Sequence, residues 1–191
     1  VGDSRPVTDR VAVEEPMEVR VNGVPFAVIM RTPGADRDLA AGFLLAEDVV
    51  RGVDEIGAIE YCDDSAVEGR ENIVNVTVLG EAVARLEARL GDRRQVMMTA
   101  SCGLCGRRTI ESLRARVSRV RGEWTVPAGV ITSLPATLRA AQSVFESRGG
   151  LHEAGMLDRQ GALKLSAEDV GRNNAVDKIT ELEQSSNLPA T

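Results

Sequence analysis

The chain contains few aromatic residues, few cysteines and no long apolar run. One Trp, one Tyr and three Phe among 191 residues leave little material for stacking bases, so single-stranded nucleic acid is not an expected ligand. Runs such as residues 39–46 are far shorter than the roughly 20 apolar residues that span a bilayer. No apolar segment of the secretory kind occurs near the N-terminus. We therefore expect a cytoplasmic protein that binds neither nucleic acid nor membrane.

The overall composition is that of an ordinary globular protein. Hydrophobic residues make up 43% and charged residues 27%, which corresponds to one large domain or two small ones. The net charge is −6, which disfavours nonspecific binding to nucleic acid or membrane surfaces. Only Lys164 and Lys178 are lysines, so 21 of the 23 basic residues are arginines. Arginine's planar fork suits phosphate and carboxylate groups, although GC-rich codon usage also explains the bias.

The first half of the chain predicts strands, a hairpin turn and two helices. After a flexible arm at 1–10, residues 11–94 form the predicted N-terminal subdomain. Asn22-Gly23 between alternating apolar stretches predicts a tight hairpin, because both turn positions require positive φ. A helix is predicted over 36–50, strands over 56–61 and 73–79, and a helix over 81–90.

The second half alternates strands and helices, which favours an α/β fold with a mixed sheet. Residues 95–184 form the predicted second subdomain, followed by a tail at 185–191. Its expected elements are a strand at 95–99, a helix at 110–120, and a helix capped by Ser133 that ends at Gly149-Gly150. Strands follow at 152–157 and 162–165, and residues 168–171 are predicted to open the last helix.

Cys102-Gly103-Leu104-Cys105 is the most informative pattern in the sequence. Three cysteines, two of them close together, are typical of a reducing compartment, where such a pair is more often catalytic or metal-binding than structural. It is compatible with a redox dithiol, half a zinc site, a sulfur carrier or two buried small side chains. A four-ligand zinc site of nitrogen and sulfur would need every cysteine and histidine in the chain, namely Cys62, Cys102, Cys105 and His152.

The surroundings of the two cysteines fit nucleophilic sulfur chemistry. A thiolate is the reactive species, and a helix N-terminus or a nearby arginine lowers the pKa of the thiol. A helix is predicted to begin near Arg107, so its N-terminus and the arginine would both lower the pKa of the Cys105 thiol. Such a thiolate can take the terminal sulfur of a donor persulfide, and the second thiol can then help expel it. A solvated helix face is the alternative explanation of the two arginines, Arg107 and Arg108.

A second polar stretch covers residues 149–178. It contains the only histidine, His152, which is either a structural hydrogen-bonding residue or an acid–base group near a thiolate. Residues 168–178 are either a solvated helix face or an anion site, where helix N–H groups and Arg172 would hold phosphate. No Walker A or dinucleotide fingerprint is present, so nothing indicates ATP or NAD.

Together these stretches resemble one family, the formate dehydrogenase accessory sulfurtransferases (FdhD family). Residues 99–106 look like its cysteine loop, and the 149–154 and 168–178 stretches look like two further signatures. The N-terminal stretches 14–23, 30–34 and 39–44 also fit, in order, so the resemblance runs from about residue 11 to 179.

This resemblance implies a sulfur carrier that pairs as a dimer. It would accept sulfur from a cysteine desulfurase and pass it to the molybdenum bis-guanine-dinucleotide cofactor of the formate dehydrogenase catalytic subunit. Cys102 would carry the persulfide, Cys105 would assist transfer, and no metal would be stably bound. A cytidine-deaminase-like core without zinc would join an N-terminal β-rich subdomain. The cofactor's guanine nucleotide and other anionic groups would meet six residues: Arg31, His152, Asp169, Gly171, Arg172 and Lys178.

Two departures from the family pattern lead to further expectations. Asn173 stands where the family usually has histidine, which alters a polar contact. Residues 183–191 fit no family block, so the chain is expected to be shortened or divergent, with poor stability or a compensating dimer interface. Two other functions stay open: a chaperone that only holds the cofactor, and a zinc-structured interaction domain. Cys62 lies outside the signatures and is predicted to be structural.

Overall fold

The structure is a computed structural model that describes residues 8–93, 124–142, 145 and 149–186. Cys102 and Cys105 lie outside the described residues, as do the predicted strand at 95–99 and the predicted helix at 110–120. Within the described part of the chain, no helix is both long and apolar enough to cross a membrane.

Along the described part of the chain, pairs of strands are separated by helices. Two single 3₁₀ turns, Val53–Glu55 and Arg70–Asn72, each lead directly into a strand. The strands and α-helices are, in chain order, β1 (Glu15–Val21), β2 (Val24–Arg31), α1 (Asp36–Ala46), β3 (Ile56–Tyr61), β4 (Ile73–Val78), α2 (Glu81–Arg93), α3 (Ala128–Arg139), β5 (His152–Leu157), β6 (Leu163–Asp169) and α4 (Arg172–Ser186).

The first four strands form one mixed sheet in the order β2-β1-β4-β3. β1 pairs antiparallel with β2 and parallel with β4, and β3 runs antiparallel to β4. Asn22 and Gly23 form the tight β1–β2 turn with φ of 50° and 79°, which confirms the predicted hairpin. The Asn22 side chain also accepts a hydrogen bond from the Val78 N–H at 2.9 Å, so the turn ties the hairpin to β4.

The main core lies between one face of this sheet and the helices α1 and α2. Alternate residues of β1, from Met17 to Val21, are fully buried, as the period of two in a strand requires. α1 adds Leu39, Phe43 and Leu44 to the same cluster, and α2 adds Leu86. Burial of these apolar side chains is the main driving force for assembling this part of the fold.

α1 also packs on α4, and the two helix backbones come unusually close. A Cβ built on Gly42 would lie 1.9 Å from the backbone oxygen of Asp177, so only glycine fits there. The helix ends at Ala46 rather than at residue 50, which corrects the predicted boundary. Asp48 adopts φ of 57°, and the N–H groups of residues 49 and 50 turn back to the carbonyl of Leu44. This left-handed position ends the helix as a glycine commonly does.

β5 and β6 form a separate two-stranded antiparallel sheet, which α3 contacts. The prediction that Ser133 caps this helix is wrong: the helix begins at Ala128 after Pro127, and the Ser133 hydroxyl donates to the Val130 carbonyl at 2.8 Å. The prediction that residues 168–171 open the last helix is also wrong. Glu168 and Asp169 end β6, and α4 starts at Arg172. The expected α/β fold with a mixed sheet and flanking helices is confirmed.

Candidate functional site

The described part of the predicted site consists of the six residues expected to meet the cofactor. The roles of Cys102 and Cys105 stay predictions. Among the described residues, no group of three or more His, Cys, Asp or Glu side chains is placed to hold a metal ion.

Asp169 and Lys178 form a buried ion pair where β6 meets α4. Lys178 Nζ lies 2.7 Å from Asp169 Oδ2, and both side chains are almost completely shielded from solvent. Asp169 also accepts hydrogen bonds from the backbone N–H groups of Gly171 at 2.7 Å and Thr32 at 3.2 Å. The Asn174 amide donates to the same carboxylate at 2.8 Å. Four donors therefore surround the Asp169 carboxyl group.

Thr32, Asp169, Asn174 and Lys178 form a unit that we call the clasp. Lys178 donates to the Thr32 carbonyl at 3.2 Å and to the Glu168 carbonyl at 3.4 Å, which occupies all three of its protons. The Thr32 hydroxyl accepts from the Val170 N–H at 3.1 Å. Asn174 donates to the Met30 carbonyl at 2.8 Å. The clasp therefore joins the turn after β2 to the start of α4.

Arg31 lies next to the clasp in the chain but belongs to a second buried network. Its Nε and Nη2 donate to the two oxygens of Asp36, at 3.1 and 2.8 Å, in a bidentate pair. Nη2 also donates to Asn72 Oδ1 at 2.8 Å. The Tyr61 hydroxyl donates to Asp36 at 3.2 Å, and burial together with the Asp36 charge raises the pKa of Tyr61. Arg31 thus connects the end of β2 with α1 and with the 3₁₀ turn that precedes β4.

An open cleft of about 470 Å³ lies beside this second network. Two arginines, three carboxylates, the chain's only tyrosine and the Cys62 thiol are among the groups that line it. The lining residues are Glu15, Arg31, Pro33, Gly34, Asp36, Tyr61, Cys62, Arg70, Glu71 and Asn72. Its volume is in the range of small-molecule sites. We call it the Tyr61 cleft.

The other predicted site residues are placed differently. His152 is exposed and pairs across the hairpin with Asp169 in the strand register. Arg172 is exposed at the first position of α4 and makes no ion pair within the described residues. Close packing favours glycine at position 171, since a Cβ there would lie 2.5 Å from the Asn174 amide nitrogen. Of the six predicted residues, only His152 and Arg172 therefore present exposed polar side chains.

Two further carboxyl groups near these elements have raised pKa values. Burial, the charge of Glu47 and the charge of Asp169 raise the pKa of Asp177 to about 7. For Glu153, burial raises the pKa, a hydrogen bond with Ser166 opposes this, and the facing Glu168 raises it further. Neither carboxyl group was singled out from the sequence.

The structure places four of the six predicted residues, Arg31, Asp169, Gly171 and Lys178, in two adjoining hydrogen-bond networks and shows partners that the sequence did not single out. Arg31 and its neighbour Thr32 lead into the two networks, and Asp169 and Lys178 form the centre of the clasp. The missed partners are Thr32, Asp36, Tyr61, Asn72 and Asn174. A weak signal existed for Asn174, which stands within the polar 168–178 stretch, but nothing local marks Asn72 or Tyr61.

Comparison with known proteins gives one consistent result. The sequence model of the FdhD/NarQ family matches residues 12–181. A protein of Anaeromyxobacter dehalogenans named sulfur carrier protein FdhD is 44% identical over 173 residues, and one of the same name from Nocardia farcinica is 41% identical over 175. These alignments cover 91% and 90% of this chain but 60% of each relative, so the chain spans about 60% of the length of these relatives.

A solved structure has the same fold. The crystal structure of a candidate formate dehydrogenase accessory protein from Desulfotalea psychrophila superposes with a TM-score of 0.63 at 21% identity. The superposition covers 91% of this chain and 60% of that one. At this identity the likeness concerns the fold alone.

Proposed function

The chain belongs to the FdhD/NarQ family, and on that membership we propose that it carries sulfur for formate dehydrogenase. The observation that carries this proposal is the family match over residues 12–181, which includes both Cys102 and Cys105. Relatives of 41–46% identity bear the name sulfur carrier protein. The sulfur would travel as a cysteine persulfide, which makes the chain a sulfurtransferase.

The first step is sulfur acceptance from a cysteine desulfurase. The Cys102 thiolate attacks the terminal sulfur of the donor's persulfide. The S–S bond of the donor breaks, a new S–S bond forms on Cys102, and the donor cysteine leaves as a thiolate. This is the attack that drives thiol–disulfide exchange, so it needs a deprotonated and accessible Cys102.

The second step is delivery to the client cofactor. Cys105 attacks the inner sulfur of the Cys102 persulfide, which closes a Cys102–Cys105 disulfide and expels the terminal sulfur as hydrosulfide. Two electrons pass from the dithiol to the sulfur atom, and a cellular thiol must later reduce the disulfide. The receiving substrate is the molybdenum bis-guanine-dinucleotide cofactor of the formate dehydrogenase catalytic subunit.

The described site residues divide into two groups under this proposal. Arg172 and His152 are exposed and can contact the cofactor's anionic groups directly, with Arg172 at the positive end of α4. Arg31, Asp169, Gly171 and Lys178 hold the backbone that presents them, since their polar groups are engaged within the chain. The protein would act in the cytoplasm as a homodimer, without a metal of its own.

The test is the mass of the intact protein under non-reducing conditions after incubation with a cysteine desulfurase and cysteine. We expect the gain of one sulfur atom, reversed by reductant. The gain should vanish in Cys102→Ala and persist in the matched control Cys62→Ala. A Cys105→Ala protein should load sulfur but release it more slowly.

Other outcomes identify other functions. A protein that gains no sulfur yet binds guanine nucleotide would be a chaperone for the cofactor. Stoichiometric zinc in the native mass spectrum would identify an interaction domain in which the cysteines are ligands. A sulfur gain that persists in Cys102→Ala would remove Cys102 from its role.

A further inference from the structure

The turn between β1 and β2 contains the one asparagine of the chain that is followed by glycine. This is Asn22, and the other asparagines are Asn72, Asn75, Asn173, Asn174 and Asn187. Glycine has no Cβ, so the backbone nitrogen of Gly23 is an unhindered nucleophile for the side-chain amide before it. Both residues of the turn are exposed, so water and base can reach them. By local chemistry alone, Asn22 is therefore the asparagine most prone to lose its amide group.

Deamidation at this turn is an attack of the Gly23 nitrogen on the side-chain carbonyl carbon of Asn22. The Gly23 N–H gives its proton to a base, a C–N bond forms, and the Asn22 amide nitrogen leaves as ammonia. Water then opens the cyclic imide at either carbonyl, which yields aspartate or isoaspartate. The net reaction consumes water and releases ammonia, so no other reagent is needed. It requires a Gly23 N–H that can be deprotonated and an Asn22 side chain folded back on its own backbone.

The neighbouring strand β4 binds both of these reacting groups. The Gly23 N–H donates to Asn75 Oδ1 at 2.9 Å. The side-chain oxygen of Asn22 accepts from the Val78 N–H, also at 2.9 Å. The backbone N–H of Asn22 donates to the Val76 carbonyl at 2.9 Å, which continues the parallel pairing of β1 with β4 into the turn. The nucleophile and the amide that it would attack are therefore each bonded to β4 and not to each other.

We propose that Asn22 is a latent deamidation site, which β4 keeps unreactive through the side chain of Asn75 and the backbone of Val78. While this end of β4 stays paired with β1, both hydrogen bonds persist and the amide is stable. When it separates, the turn has the reactivity of a free Asn-Gly pair. Isoaspartate lengthens the backbone of the two-residue turn, which disturbs the pairing of Val21 with Val24. The amount of product therefore records how often this end of the sheet has opened.

Peptide mapping of the aged full chain tests this proposal. The folded protein is incubated at mildly alkaline pH and digested, and mass spectrometry resolves the peptide with residue 22 into its asparaginyl, aspartyl and isoaspartyl forms. The same chain unfolded in guanidinium chloride gives the rate without protection. We expect deamidation of Asn22 to be at least about tenfold slower in the folded chain, because only molecules in which the turn has opened can react.

Substitutions of Asn75 test the bond to the nucleophile. Asn75→Ala removes the acceptor of the Gly23 N–H and should speed deamidation of the folded chain about threefold to tenfold, the equivalent of one hydrogen bond. Asn75→Asp keeps a side-chain oxygen at this position and should restore the slow rate. Thr77→Ala is the matched control, since Thr77 lies two residues further along β4 and takes part in neither bond to the turn. Its rate should equal that of the parent.

The proposal is overturned if Asn22 deamidates equally fast in the folded and the unfolded chain. An unchanged rate in Asn75→Ala also overturns it, because the Gly23 N–H would then need no acceptor to stay unreactive. Equal acceleration in Asn75→Ala and Thr77→Ala would show that any change in β4 exposes the turn, and it would remove the specific role of the Asn75 side chain. The comparison of folded with unfolded parent needs no variant, so it decides the proposal if Asn75→Ala does not fold.

Discussion

The four-stranded sheet with α1 and α4 differs sharply from the β5–β6 hairpin with α3. In the sheet, the inward residues of β1 are completely buried, and α1 is buried on several sides. In α3 no residue is buried, and most of β5 and β6 is half-buried. Apolar burial is the main stabilising force, so the two regions contribute very unequally to stability.

The buried polar networks also lie in the better packed region. The clasp and the Arg31 network both lie where β2, α1 and α4 meet. Within the described residues, the hairpin is bonded to the clasp at the end of β6, through Glu168 and Asp169. One end of the hairpin is therefore fixed to the better packed region, and substitutions should have large effects on one side of this junction and small effects on the other.

The largest effect should come from Lys178→Met, which removes the positive charge of the clasp. Asp169 would remain as a buried carboxylate without its ion partner, at a cost of about 3–5 kcal/mol in the free energy of unfolding. Urea denaturation measures this. Lys164, the only other lysine, pairs with Asp158 at the hairpin surface and is 58% exposed. Lys164→Met should have a far smaller effect, and equal losses would contradict the division.

Asp177→Asn should act in the opposite direction and depend on pH. The raised pKa of about 7 means that the folded state binds a proton more readily than the unfolded chain does. Stability therefore falls as pH rises from about 4 to about 7, and the loss is complete above that range. The variant should be more stable than the parent by about 2–4 kcal/mol at pH 8, with little difference near pH 4.

Thermal or urea unfolding of Asp177→Asn and the parent across pH 4–8 checks this prediction. Asp158→Asn is the control, because hydrogen bonds from Lys164 and Ala162 lower the pKa of Asp158. The stability that the Asp158 carboxylate contributes is therefore lost as pH falls. A stability difference for Asp177→Asn that does not vary with pH would show that burial of this carboxyl carries no cost.

Gly42→Ala tests the helix contact, with Gly155 as its counterpart in the hairpin. The new methyl at 42 would strike the backbone oxygen of Asp177, so α1 and α4 must separate, at a cost of about 3 kcal/mol. At 155 the nearest atom is the end of the Leu138 side chain, which can move aside. We expect about 1 kcal/mol or less there. Urea midpoints compare the two, and a larger loss at 155 would reverse the comparison.

Ile131→Ala should give the smallest effect. Ile131 is 55% exposed on α3, so its truncation removes little burial and should cost less than about 0.5 kcal/mol. Val76→Ala, at a fully buried position in β4, should cost about 2 kcal/mol in the same denaturation assay. A large loss at Ile131 would indicate that this face of α3 is covered in solution.

Local sequence signals predicted the hairpin turn but misplaced two helix ends. The Asn22-Gly23 turn depends only on the two residues and their flanking strands, and it was predicted correctly. The predicted helix cap at Ser133 was wrong because a serine inside a helix can donate to a carbonyl of the preceding turn, as Ser133 does to Val130. The end of α1 was misplaced because Asp48 takes a conformation that a glycine would have signalled.

Long-range contacts explain what the sequence did not indicate about the site. Arg31, Asp169 and Lys178 stood out as polar residues in recognisable stretches. Their partners lie up to 146 residues away, and no period or spacing encodes such a pairing. Asp169 was assigned to a helix because acidic residues favour first turns, whereas the N–H of Thr32 and the ammonium of Lys178 hold it at the end of β6.

The reach of the clasp along the chain has a consequence for synthesis on the ribosome. The hairpin of β1 and β2 can form as soon as residue 31 has emerged, and β4 can join it once residue 78 is outside. The Thr32 carbonyl, however, meets Lys178 across 146 residues. Until that lysine leaves the exit tunnel, the turn after β2 stays bonded to water and α1 has no helix to cover Gly42. While the 146 residues from Thr32 to Lys178 are being synthesised, the nascent chain therefore has a finished hairpin and an uncovered α1, which is when a chaperone would protect it most.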